Sequence, residues 1–221
     1  MKDNQIGGIA LIAGTICGIV TMTLHPSRLN LSDPGQLEHM AVLDVRVHLL
    51  ALISLPILFM GALALSRLLT SPNRLAIGAL VVYGFALAAV MSAAAFDGLV
   101  APALMHELIA STSSPASEVW RILFRFNFQL NQAFALIFVL ASSAAIVLWS
   151  IWMIRSRALS VSVGVYGCVL GPVTAIAVLS GKLTLTAHGF GLVILGESLW
   201  FIIVGVLLLR LKESKTILDQ R

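Results

Sequence analysis

The sequence predicts an all-α fold: a polytopic membrane protein, a bundle of six transmembrane helices with short interfacial helices on its outer side. Three observations predict it. Of 221 residues, 59% are hydrophobic and only 11% are charged, where a soluble domain carries about 25% charge. Long uncharged runs recur six times along the chain. The segments between them are tight turns on one side and longer, structured stretches on the other.

The expected spans are residues 6–24, 48–69, 75–96, 131–154, 159–180 and 188–209, in a single domain covering residues 1–221. Each has about 19 to 24 residues, enough to cross about 30 Å of hydrocarbon at 1.5 Å per residue. Residues 4–24 carry no charge. They read as an uncleaved first span, because Thr23-Leu24-His25-Pro26 offers no small-residue cleavage site. Asp33-Pro34 is a helix start, an N-cap followed by proline in the first turn. Residues 34–47 then form a helix that lies on the membrane or leads into the second span. Pro56 and Pro172 fall within spans, where proline removes a backbone bond and kinks a helix. The third span ends at Asp97-Gly98. Residues 101–109 are apolar, and residues 119–126, after Ser114-Pro115, combine aromatic bulk with Arg121 and Arg125. The latter fit an interfacial amphipathic helix or the ragged start of the fourth span. Thr70-Ser71-Pro72-Asn73 and Arg155-Ser156-Arg157 are tight turns.

Basic residues set the expected orientation. Lys2, Arg67, Arg74, Arg155, Arg157, Arg210, Lys212, Lys215 and Arg221 fall on the side of the termini, and Arg28, Arg46, Arg121, Arg125 and Lys182 on the other. Both termini are therefore expected in the cytoplasm, and short loops suggest a bacterial inner membrane. The net charge of +4 is scattered singly at helix ends, which argues against nucleic acid as a partner. Cys17 and Cys168 both lie within apolar runs and read as small buried residues, not as a disulfide framework. No phosphate loop, nucleophile elbow or dinucleotide fingerprint is present.

The functional signal is an asymmetry. Unusual polar residues gather at the outer ends of the spans: His25 and His48, then Asp97, Asn127, Asn131 and Gln132, then Lys182 and His188, with Glu197 deeper in the last span. The inner ends carry common basic and turn residues. Polar groups in hydrocarbon are costly and point to a partner or a function. Gly14, Gly18 and His25 are spaced four and seven residues apart, so they share a helix face. Small residues mark a face pressed on another helix, so His25 should look inward. Asp97 continues a face of Ala86, Val90, Ala93 and Ala94 and should do the same. Asp44 lies one turn before His48, where a carboxylate can orient the imidazole. An ordinary surface pair would look the same. Asn127 and Asn131 share a face, and their amides suit either helix–helix hydrogen bonds or a bound group. Glu197 is the deepest charge. It lies nine residues after His188, half a turn out of phase on a straight helix, so the two face one pocket only if the helix bends. His39, His106 and Glu107 read as solvated.

These residues predict a metal site with ligands His25, His48, Asp97 and His188, a nitrogen and oxygen set suited to zinc or another divalent ion. Glu197 and Asp97 are the candidate catalytic carboxylates, with Asp44 and Asn131 positioning the bound group. An open coordination position would activate water. Access from the outer leaflet would suit a membrane lipid or another amphiphilic small molecule. The constellation resembles, in part, the membrane zinc hydrolases of the alkaline ceramidase and adiponectin-receptor group. It departs from them in having six spans for seven, and Leu192 four residues after His188 where that group has a second histidine. Three other readings stay open. A haem could be held by His25 and His48 as axial ligands. A transporter would use Glu197, Asp97 and the asparagines to bind a cation or relay protons. A structural subunit would use the polar residues to hold helices together.

Overall fold

Each apolar run becomes a helix, because backbone N–H and C=O groups in apolar surroundings must pair within their own segment. The computed structural model describes residues 3–25, 34–69, 74–110 and 116–211. Lys2, Pro26, Arg28, Asp33, the turn at 70–73, Ser114-Pro115, Lys212, Lys215 and Arg221 lie outside these residues. Helix α1 covers Asp3–Leu24, α2 Pro34–Leu69 and α3 Leu75–Ala95. A five-residue π-turn, Phe96–Val100, carries α3 without a break into α4, Ala101–Ala110. Helices α5, Ala116–Ser156, α6, Val161–Leu179, and α7, Ala187–Arg210, complete the chain. There is no strand among the described residues. Six helical segments are long and apolar enough to cross a membrane.

Two helices run well past the lengths expected of spans. Helix α2 has 36 residues and α5 has 41. Residues 34–47 therefore lead straight into the second span, and residues 119–126 are the first turns of α5. Residues 101–109 continue α3 through the π-turn. At 1.5 Å per residue α5 is about 60 Å long, twice the hydrocarbon thickness of a bilayer. The surplus of both helices lies at the His25 end. Both in-span prolines are contained within continuous helices, Pro56 in α2 and Pro172 in α6.

The six long segments close into a ring in chain order: α1, α2, α3, α5, α6, α7, with α7 packed back on α1. Helix α4 lies against α5 and α2. Glycine permits the closest crossings. A Cβ on Gly8 would come within 2.6 Å of the Gly205 carbonyl oxygen, so α1 and α7 meet there backbone to backbone. The distribution of side chains is inverted relative to a soluble protein. Phe85, Val169, Val173, Ile176, Leu192, Leu195 and Leu199 are all more than half exposed. Ser54, Ser66, Ser142, Ser150 and Glu197 are buried. An apolar exterior of this extent is compatible with a membrane protein.

Toward the Arg210 end the ring is filled. Tyr83, Trp149, Trp200 and Phe201 meet at its centre with ring centroids 5.1 to 6.3 Å apart. Buried indole N–H groups need acceptors. Trp149 donates to Ser66 Oγ at 2.9 Å and Trp200 to the Val163 carbonyl at 3.2 Å. Leu65, Leu69, Met153 and Leu208 are fully buried on the same side. Toward the His25 end the ring is hollow.

Candidate metal centre and the cavity beneath it

His25 directly follows α1, and its direction is set by the helix before it. Gly14 lies against Leu58 and the Ser54 carbonyl of α2, while Gly18 faces open space and borders the cavity. The same face carries His25 inward, where its side chain is 17% exposed.

Asp97 is aimed by the π-turn, which inserts one residue into a helical turn and re-orients the side chains beyond it. Two contacts hold that turn. The Phe96 carbonyl accepts from the Ala101 N–H, closing the wide turn, and from Asn127 Nδ2 of α5 at 3.1 Å. Gly98 presses on His48 of α2. A Cβ there would fall 2.9 Å from His48 Nδ1 and nearer still to its Cβ and Cγ. Only glycine lets the π-turn and the imidazole share this space.

Three segments thus bring four groups together. Asp97 Oδ2 lies 3.1 Å from His25 Nε2 and 3.4 Å from His48 Nε2. The two imidazoles meet edge to face, with centroids 5.1 Å apart and planes at 77°. His48 Nδ1 lies 2.8 Å from the Asp44 carbonyl oxygen and 3.1 Å from Asp44 Oδ1. One donor atom from each of His25, Asp44 and His48 lies within 4.8 Å of the others, close enough to share an ion.

The tautomer of His48 follows from its partners. A carbonyl oxygen only accepts, so Nδ1 carries a proton and donates it to Asp44. Nε2 then faces the Asp97 carboxylate. In a neutral ring that places a lone pair against an anion. The contact is favourable when the ring is charged, or when a cation stands between nitrogen and oxygen. Imidazole that binds metal through one nitrogen commonly gives its other N–H to a carbonyl or carboxylate, which is the arrangement of His48 and Asp44. Asp44 Oδ1 is also buried, and its ion-pair contact with the same Nδ1 at 3.1 Å does not have hydrogen-bond geometry, because that N–H points to the carbonyl.

Beneath the cluster lies a cavity of about 400 Å³. Its walls are mostly apolar, with Leu55, Leu58, Leu87, Phe138 and Phe201 among them. His25, Asp44, His48 and Asp97 line its upper end. Glu197 lines it from deep in α7, buried and accepting a hydrogen bond from Ser142 Oγ at 2.7 Å. Asn131 and Gln132 also border it, part-buried.

The expected ligand His188 is not brought into the cluster. It is exposed at the second position of α7 and lines a separate groove beside His25. The helix is unbroken from Ala187 to Arg210, so the half-turn phase difference holds: Glu197 faces inward and His188 outward. His39, His106 and Glu107 are exposed. Ser142, Tyr83 and the π-turn are features the sequence reading misses. A mid-span serine or tyrosine carries no periodic signal, and Asp97-Gly98 reads as a helix end.

No protein-family model, curated protein or solved structure matches the chain.

Proposed function

We propose that this chain is an integral membrane protein that holds a divalent metal ion, zinc by its donor set, at the His25 end of the bundle. His25, His48 and Asp97 would supply the ligands, and Asp44 would orient His48. The carrying observation is the convergence of two imidazoles and two carboxylates from three segments onto one point above an apolar cavity. Three protein ligands and one open position are the pattern of catalytic zinc, which activates water. The apolar cavity would hold the chain of an amphiphile. The reaction class this combination suits is hydrolysis of an ester or amide in a lipid-like molecule. Asp97 is the carboxylate placed to handle a proton at the ion, while Glu197 would meet the far end of the ligand.

The His25 end would face the extracytoplasmic side of a bacterial inner membrane. Arg67, Arg74, Arg155, Arg157 and Arg210 at the opposite end support that orientation. A haem is less well supported, since the two Nε2 atoms that would have to ligate its iron each already lie against Asp97 Oδ2, at 3.1 and 3.4 Å. Transport is less well supported because the cavity ends at Tyr83, Phe201 and Glu197, on the aromatic layer.

A static ion-pair network is the competing reading, because Asp97 is already within ion-pair distance of both rings. Elemental analysis with a visible spectrum of the purified protein separates these cases. About one zinc per chain, lost in His25→Ala and His48→Ala, is the expected result. A Soret band would favour haem. Absence of both in protein purified without chelator, and after zinc addition, would leave the ion-pair network.

A further inference from the structure

The cavity has a neighbour. On the outer seam between α1 and α7 lies a groove of about 330 Å³, bordered by Met22, Thr23, His25, His188, Gly191 and Leu195 among others. Met22, His25, Ala187 and Ile194 line both the groove and the cavity. A single layer of side chains therefore separates the interior from the outer surface here.

The seam is uneven along its length. At one end α1 and α7 touch through Gly8 and Gly205, backbone against backbone. At the other end a Cβ on Gly191 of α7, which borders the groove, would meet only Met22 Cε of α1, at 3.8 Å. The helices thus diverge toward His25. The partition between groove and cavity is built partly of Met22, an unbranched side chain with three rotatable bonds that yields readily. The surface around the groove is apolar: Ile16, Leu192 and Leu195 are 48%, 62% and 55% exposed. In a bilayer this apolar border would face lipid, with Thr23 and His188 at the polar end of the groove.

We infer that the α1–α7 seam is a lateral portal through which a single-chain lipid with an oxygen-bearing head passes from the bilayer into the cavity. The head would come to rest at His25 and Asp97, and the chain would run along Leu55, Leu58, Leu87 and Phe138 toward Phe201. A cavity of about 400 Å³ lies in the range of small-molecule sites, whereas a two-chain phospholipid is several times larger. His188, at the mouth of the groove, is placed to meet the head as it enters. The destination of the head rests on the metal-site reading. The route does not.

The test uses the full chain in lipid nanodiscs with two photoactivatable probes, a diazirine-bearing fatty acid and a diazirine-bearing phosphatidylcholine. Labelled peptides are read by mass spectrometry, and zinc is measured on the same preparations. The fatty acid should label peptides containing Leu55 and Phe138. Gly191→Trp and Thr23→Trp, which fill the groove at positions with space or exposure, should each reduce that labelling about tenfold. Leu179→Trp, on an exposed face of α6, should leave it unchanged. Equal labelling in wild type and both groove variants would overturn the portal. Cavity labelling by the phosphatidylcholine at the same yield would overturn the single-chain assignment. Portal-dependent labelling in protein that takes up no zinc would sustain the portal and sink the metal reading instead.

Discussion

Replacing Gly98 with alanine tests how the candidate site is assembled. The added Cβ would stand 2.9 Å from His48 Nδ1 and closer to its Cβ and Cγ. Since carbon atoms settle at about 3.5–4.0 Å, the π-turn and α2 must part by roughly 1.5 Å. Both sides are helix backbone tied into the ring, and His48 is held by Asp44, so neither moves freely. Overpacking of this kind costs about 1–3 kcal/mol. For a chain of this size each kcal/mol moves the melting temperature by about 2–4 °C, so a fall of about 2–12 °C is expected. Gly78→Ala is the control: a Cβ there meets nothing within 4 Å, and alanine for glycine within a helix gains about 0.5–1 kcal/mol. Thermal unfolding of both variants in one detergent, followed by tryptophan fluorescence, should move in opposite directions. Zinc stoichiometry should fall in Gly98→Ala alone. If the two variants shift Tm alike, His48 is not seated on the π-turn and the site geometry argued from it is wrong.

Ser66→Ala removes the acceptor of the Trp149 indole, and an unpaired buried donor should cost about 1–3 kcal/mol by the same unfolding assay. Ser142→Ala and Glu197→Gln should be coupled, because their side chains touch at 2.7 Å. A double-mutant cycle should return about 0.5–3 kcal/mol, and an additive pair would show that Ser142 does not bind the carboxyl. Gly8→Leu should part α1 from α7 where Gly205 meets it. Cysteines introduced on α1 and α7 near that crossing should then lose their oxidative cross-link, and an unchanged cross-link would contradict the backbone contact.

Much of this arrangement can be read from local pattern. Runs of apolar residues suffice for six helices long and apolar enough to span a membrane, because a backbone in apolar surroundings has few alternatives. The inward aim of His25 is legible from Gly14 and Gly18, and that of Asp97 from Ala93 and Ala94, since a helix converts spacing into direction. The split between His188 and Glu197 follows from the same arithmetic, and only the assumption of a bend would place both at one site. What is not legible depends on contacts distant in sequence. The π-turn exists because Asn127, 31 residues away, satisfies the Phe96 carbonyl and because Gly98 admits His48. Ser142 is one serine among several until α5 and α7 are packed. Starts of helices are weakly encoded where the flanking residues are themselves good helix formers, so residues 119–126 can read as a separate element.

His25 and His48 provide the sharpest separation between a metal site and a structural network. His48 is buried and has a carboxylate on each side, Asp44 and Asp97. His48→Ala leaves two acids facing each other without the ring between them, and breaking a buried pair in this way costs about 3–5 kcal/mol. His25 sits nearer the rim and meets Asp97 at 3.1 Å, so His25→Ala should cost less, about 1.5–3 kcal/mol for a charge-assisted hydrogen bond. Both variants lower stability under either reading, so stability alone decides nothing. Zinc decides. A ligand that binds only the folded state stabilises it by about 2.7 kcal/mol at a hundredfold excess over Kd. The wild type should therefore melt higher with added zinc and lower with chelator. His25→Ala, the variant expected to keep more of its stability, should lose that response entirely. In a purely structural network the two imidazoles and two carboxylates are held by ion pairing alone, and zinc would change neither protein. A wild type whose melting temperature ignores both zinc and chelator would end the metal-site proposal.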